Sequence, residues 1–166
     1  MYRKSFDGMN CSIARALEQV GEWWSLLIVR ECTLGTTRFD DFQRRLGIAR
    51  NVLTARLNTL IEHGVLEKVP LEDAERRQEY RLTPKGEALY PVLVALLQWG
   101  DQWCEHDAPI RLVEHQSGKP IDPVGPRGDR GKLLTFRDIR LEPGPGATAA
   151  TVQSVGTRNR AILGEE

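Results

Sequence analysis

The chain has 166 residues, with 23 Lys and Arg balanced by 23 Asp and Glu, so its formal net charge is zero and nothing global announces a nucleic-acid partner. That length suits one good core with a small appendage. Cys11, Cys32 and Cys104 lack paired spacing and no amino-terminal apolar run is present, which excludes a disulfide scaffold and points to a soluble cytoplasmic protein; apolar runs end well short of the about 20 residues of a membrane helix, so no membrane partner is expected.

In chain order, residues 1–10 read as an arm. Asn10 is placed to cap a helix from Cys11 to Val20, and Trp23 to Leu34 forms a second, more apolar helix closed by Gly35. Phe39, Phe42 and Leu46 make a short stripe between Thr37 and Gly47, and Gly47 turns the chain into the next helix. From Ile48 to Gly64, Leu53, Leu57, Leu60 and Ile61 recur at three- and four-residue intervals and share a buried face. Asn51, Ala55 and Asn58 point the other way, with Arg50 and Thr54 beside them. Those side chains supply donors, acceptors and a methyl group, the chemistry that reads base edges in a major groove, although an ordinary amphipathic helix has the same spacing. Val69 and Leu71, then Tyr80 and Leu82, alternate as half-buried strands about the charged run Glu72 to Arg76, a hairpin with a polar tip.

Arg38, Arg44, Arg45, Arg50 and Arg56 against Asp40 and Asp41 leave the helix-turn-helix segment locally positive. Arg38, Arg45, Arg56, Arg76 and Arg77 are the candidates for phosphates and Arg50, Asn51, Thr54 and Asn58 for bases; Arg56, near the buried edge, equally suits a structural bridge to an acid. Thr83-Pro84 opens a long helix to about Glu105, bent at Pro91. Its stripe of Leu89, Val92, Leu93, Leu96, Gly100 and Trp103 spans roughly 30 Å. With Trp99 four residues before Trp103, it offers a face for a second subunit (Leu89, Leu93, Leu96, Trp99, Trp103) or for the first helix of its own chain. Beyond Pro109, residues 110–146 read as a small β-rich extension: a hairpin of Ile110–Glu114 and Lys119–Asp122, then a strand from Leu133 to Leu141 stopped by Pro143 to Gly146. Residues 147–166, small and polar, read as a disordered tail.

No phosphate-binding glycine loop, nucleophile elbow or His-Glu zinc signature is present, so no enzyme is expected. Cys104 and His106 are two ligands without partners, and neither a metal nor a cofactor is expected. His63, beside Gly64, reads as a solvated helix-end residue. Cys11 stands at a helix start, where the macrodipole favours a thiolate; it is a candidate redox sensor or a small packing residue.

Cys11-Ser12-Ile13-Ala14-Arg15-Ala16-Leu17, Gly21-Glu22-Trp23-Trp24, Arg38-Phe39-Asp40-Asp41-Phe42, Leu53-Thr54-Ala55-Arg56-Leu57, Glu79-Tyr80-Arg81-Leu82-Thr83-Pro84-Lys85-Gly86 and Trp99-Gly100 follow one another between Cys11 and Pro109. In that order they resemble the HxlR-type winged helix-turn-helix regulators of bacteria. The resemblance implies a mainly α fold with a small β wing over residues 11–109 and a helix-mediated homodimer. It also implies sequence-specific binding of double-stranded DNA at a palindromic operator, as a repressor. Some members sense oxidants or electrophiles through a cysteine matching Cys11; a small apolar effector between the Trp23/Trp24 helix and the long carboxy-terminal helix is the other switch. Where relatives usually have a capping Ser before the recognition helix, this chain has Ala49, at a cost of about 1 kcal/mol. A winged-helix protein-interaction adaptor without DNA binding is the alternative.

Overall fold

The computed structural model describes residues 5–6, 8–71, 74–105 and 107–164, with backbone alone at Leu71 and from Ala74 to Arg77. Two compact units divide the chain, residues 15–109 and residues 1–14 with 110–166. The arm therefore groups with the extension, where the sequence suggested separate segments.

The first unit is a winged helix-turn-helix. α1 (Ser12–Val20) leads into α2 (Trp23–Thr33), α3 (Phe39–Leu46) and α4 (Arg50–Glu62). Val20, Ile28, Val29, Phe42, Ile48, Leu53, Leu57, Leu60, Val65 and Leu66 close into one buried cluster, the face foreseen from the three- and four-residue spacing in α4. Gly47, at φ 63°, takes the left-handed conformation that ends α3 and starts the turn into α4. Asp40 and Asp41 in the first turn of α3, with Arg44 and Arg45 in its last, match the helix dipole. Gly64 ends α4: its N–H donates to Ile61 O (2.8 Å) and that of Val65 to Leu60 O (2.8 Å), a Schellman closure.

β1 (Leu66–Leu71) pairs antiparallel with β2 (Ala74–Leu82), register Leu66 to Leu82 through Pro70 to Gln78, with an irregularity at Leu71. β2 begins earlier than expected, so Glu75 and Arg76 belong to a strand and not to the tip. Pro70 is tolerated because each strand of a two-stranded sheet has an open edge. The wing is rooted where Tyr80 N–H donates to Thr37 O (2.8 Å) and the Tyr80 ring meets Phe42 edge to face, centroids 6.2 Å apart.

The long helix after Thr83 is two helices, α5 (Pro84–Glu87) and α6 (Tyr90–Trp103), and the break precedes Pro91 instead of bending there. Pro91 lacks an N–H, so it cannot continue α5 but fits the first turn of α6. Thr83 ties α5 to the end of α4: its hydroxyl donates to Gly64 O (2.6 Å) and accepts from Gly86 N–H (3.2 Å). Lys85 Nζ donates to His63 O (2.6 Å), satisfying a terminal carbonyl of the same helix. A Cβ on Gly86 would lie 2.2 Å from Val65 O, so only glycine fits there.

In the second unit, the hairpin about Gly118 is a narrow pair: Val113 bridges Pro120, and Glu114 N–H donates to Lys119 O (2.8 Å). Leu133 to Leu141 does not form a strand; it touches Arg127 through one bridge at Leu133 and then turns at Thr135–Asp138. The expected disordered tail is instead α7 (Ala149–Leu163), capped by Thr148 and ended by Gly164 at φ 69°. Asn159, buried, accepts from Leu141 N–H (3.1 Å) and donates to Leu141 O (2.8 Å), while Arg158 donates to the carbonyls of Ile139 (2.5 Å) and Phe136. Asn10, expected to cap the first helix, instead donates to Gly146 O (3.0 Å) and Thr151 Oγ1 (2.9 Å). Among the described residues no helix is long and apolar enough to cross a membrane.

Candidate nucleic-acid interface

α4 turns Leu53, Leu57 and Leu60 inward and leaves Arg50, Asn51, Thr54 and Asn58 exposed on its outer side. All four candidate base-reading residues thus share one accessible ridge. Ala49 provides no side-chain cap; the first turn is entered by backbone alone, Leu53 N–H donating to Ala49 O (3.0 Å). Thr54 spends its hydroxyl proton on Arg50 O (2.9 Å), which leaves its methyl group and an acceptor lone pair for a partner. Arg50 is steered by α3: its guanidinium lies 4.7 Å over the Phe39 ring and 3.9 Å from Asp40.

The phosphate candidates separate. Arg38 is exposed at the start of α3 and lies close enough to Glu79 of the wing to help hold that carboxyl below its ordinary range, after the larger effect of the Arg81 hydrogen bond. Arg45 is exposed but reaches back to Glu31 at 3.6 Å. Arg56 is 26% exposed and paired with Glu22 at 3.2 Å, the geometry of the bridging alternative. Arg76 and Arg77 lie on β2, and their side chains fall outside the described residues, as do Glu72, Asp73 and His106.

Glu31 escaped the sequence reading. Its carboxylate is 4% exposed, takes Arg30 at 2.6 Å and Arg45 at 3.6 Å, and accepts from Thr36 Oγ1 at 3.2 Å. A buried carboxylate so paired locks the end of α2 to α3, and removing one partner would strand a charge. The signal was present: Glu31 follows Ser25 and Ile28 in helical phase on the buried side of α2.

The carboxy-terminal stripe divides too. Leu89 and Leu93 are partly buried against the unit's own core, whereas Leu96, Trp99 and Trp103 are 49%, 61% and 66% exposed. The tryptophan pair foreseen as the wall of an effector pocket is likewise split, Trp24 on the core and Trp23 exposed. Cys11 is half-buried just before α1, its N–H donating to Met9 O (2.8 Å). Burial, with Glu31 next in effect, pushes the Cys32 thiol up to about 12.

A helix presenting a polar ridge, set by a preceding helix and followed by a hairpin, defines the winged helix-turn-helix class. The HxlR-like helix-turn-helix family matches residues 19–108, and the chain belongs to that family of transcriptional regulators. It is 42% identical to the uncharacterised HTH-type transcriptional regulator Rv3095 of Mycobacterium tuberculosis H37Rv over 145 residues, 86% of this chain and 92% of the relative. It is similar to the crystal structure of PA1607 (44% identity, TM-score 0.77, 85% of this chain and 100% of that one). The redox regulator HypR in its oxidized form is similar over 55% of this chain and 96% of its own (26% identity, TM-score 0.52).

Proposed function

We propose that the protein is a sequence-specific repressor that binds a palindromic operator as a homodimer. The observation that carries this reading is the exposed ridge of Arg50, Asn51, Thr54 and Asn58, aimed by a leucine face on the opposite side of the same helix. In it these four face bases, and Arg38, Arg45, Arg76 and Arg77 hold phosphates. The second subunit covers Leu96, Trp99 and Trp103, and symmetry sets the two ridges one DNA turn, about 34 Å, apart. Cys11 is the switch in this reading, supported by the partial exposure of that residue and by the likeness to a redox regulator. A gel shift against the DNA upstream of its own gene tests the reading. Retardation is expected at low salt, where counterion release most favours binding; no shifted band there would leave the protein-interaction adaptor as the better account.

A further inference from the structure

Charge is unevenly shared between the two units. Residues 15–109 hold 12 Lys and Arg against 15 Asp and Glu, a balance of −3, whereas residues 1–14 and 110–166 hold 11 against 8, a balance of +3. The reading unit, negative as a whole, contributes little long-range attraction to a polyanion. The excess of cations concentrates between Arg127 and Arg140, where five stand against Asp129 and Asp138.

The local structure displays four of those five. Arg127 is used internally, donating to Gly131 O (2.8 Å) and Pro123 O (3.0 Å) with Asp122 at 3.8 Å, which shapes the loop. Asp138 is committed to its own turn: it accepts from Thr135 N–H (2.8 Å) and Thr135 Oγ1–H (2.7 Å). These bonds, more than nearby Lys132, hold its carboxyl below the ordinary range. Arg158 and Asn159 of α7 grip the backbone at Phe136, Ile139 and Leu141, so the strip is anchored by its main chain. Arg130, Lys132, Arg137 and Arg140 are exposed, and the Arg137 guanidinium lies over the exposed Phe136 ring at 4.9 Å.

We propose that this strip is a second contact with duplex DNA, binding phosphates without reading sequence and adding to the attraction of the winged unit's own arginines. It rests on the DNA-binding reading above. A run of exposed guanidinium and ammonium groups fixed on a main-chain frame suits a regular line of phosphates, for which charge and donors matter more than shape.

The test is the salt dependence of binding by the full chain, measured on operator and on random duplex. Arg130→Gln, Lys132→Gln, Arg137→Gln and Arg140→Gln together should flatten the plot of log K against log salt by about 2 to 4, since each phosphate contact contributes about 0.9. Affinity at low salt should fall at least about tenfold on both DNAs. Replacing the three arginines by lysine should keep the parent slope. The pair Arg130→Gln and Lys132→Gln lies away from the segment gripped by Arg158; it should show about half the effect should the fourfold variant lose the circular dichroism of α7. A parent that binds DNA and a folded neutral variant with the same slope would overturn the inference alone, and would turn the strip toward an acidic protein partner. A parent that binds no DNA at low salt would overturn both readings.

Discussion

In the winged unit ten hydrophobic side chains from Val20 to Leu66 close on one another, whereas in the other unit Ala14 alone among the described hydrophobic residues is buried. That second unit is pinned by hydrogen bonds to main chain, those of Asn159 with Leu141 and of Arg158 with Ile139 and Phe136. Burying a leucine or phenylalanine fully contributes about 1.5 to 3 kcal/mol, but a hydrogen bond exchanged with water nets about 0.5 to 1.5. The contrast fits the two proposed roles: a base-reading ridge on α4 needs a fixed orientation, while phosphates accept a cation from many directions.

The largest expected effect is on the apolar side. Leu57→Ala removes a side chain 1% exposed at the centre of the cluster and should cost about 2 to 5 kcal/mol in denaturant unfolding, with loss of DNA retardation. A cost under about 1 kcal/mol would mean that the winged unit is not held by its leucine face. Within that unit Asn51→Ala should weaken operator binding by about 1 to 3 kcal/mol and leave random DNA unaffected, because a base edge loses its partner. Arg38→Ala should weaken both DNAs alike and flatten the salt slope by about 1. Equal losses on both DNAs for Asn51→Ala would take that residue out of the reading ridge.

The same contrast explains what the sequence made legible. Burial leaves a period: Leu53, Leu57 and Leu60 announced the inner face of α4, and Gly47 and Gly64 its surroundings. Backbone hydrogen bonds leave none. Nothing in a stretch of Ala, Thr, Gln, Ser and Gly marks Asn159 as the residue that reaches Leu141, 18 positions earlier, so α7 read as disorder. Arg56 could not be assigned between Glu22 and DNA because a salt bridge between helices depends on their packing, not on spacing within one. The helical phase that Leu89 and Leu93 share with Leu96 likewise could not tell which of them meet the core of their own chain.

Asn159→Ala sharpens the contrast by a smaller effect. It leaves the N–H and C=O of Leu141 without their partner and should cost about 1 to 3 kcal/mol of local stability. Hydrogen exchange should accelerate at Leu141 and along α7 while amides of α4 keep their protection. Loss of protection in both units together would show that they unfold as one and break the comparison.

The smallest expected effect concerns the thiols, where burial separates two positions within the winged unit itself. Cys32 sits in the winged unit, its thiol pushed up to about 12 from an ordinary 9.0 chiefly by desolvation. The folded state therefore prefers the neutral thiol. That preference is fully in force below about pH 9, and its contribution to stability is lost as pH rises from there through about 12, because the unfolded chain releases the proton first. At pH 8 Cys32 should resist iodoacetamide until the protein is denatured, whereas exposed Cys104 should react in the folded protein. If Cys11 is the switch, Cys11→Ser should bind the operator as the parent does and fail to release it after mild oxidation, and Cys32→Ser and Cys104→Ser should both release normally. An oxidant that leaves the parent's affinity unchanged would remove the thiol from regulation, and rapid alkylation of Cys32 in the folded chain would show that the core around Glu31 opens more readily than its packing implies.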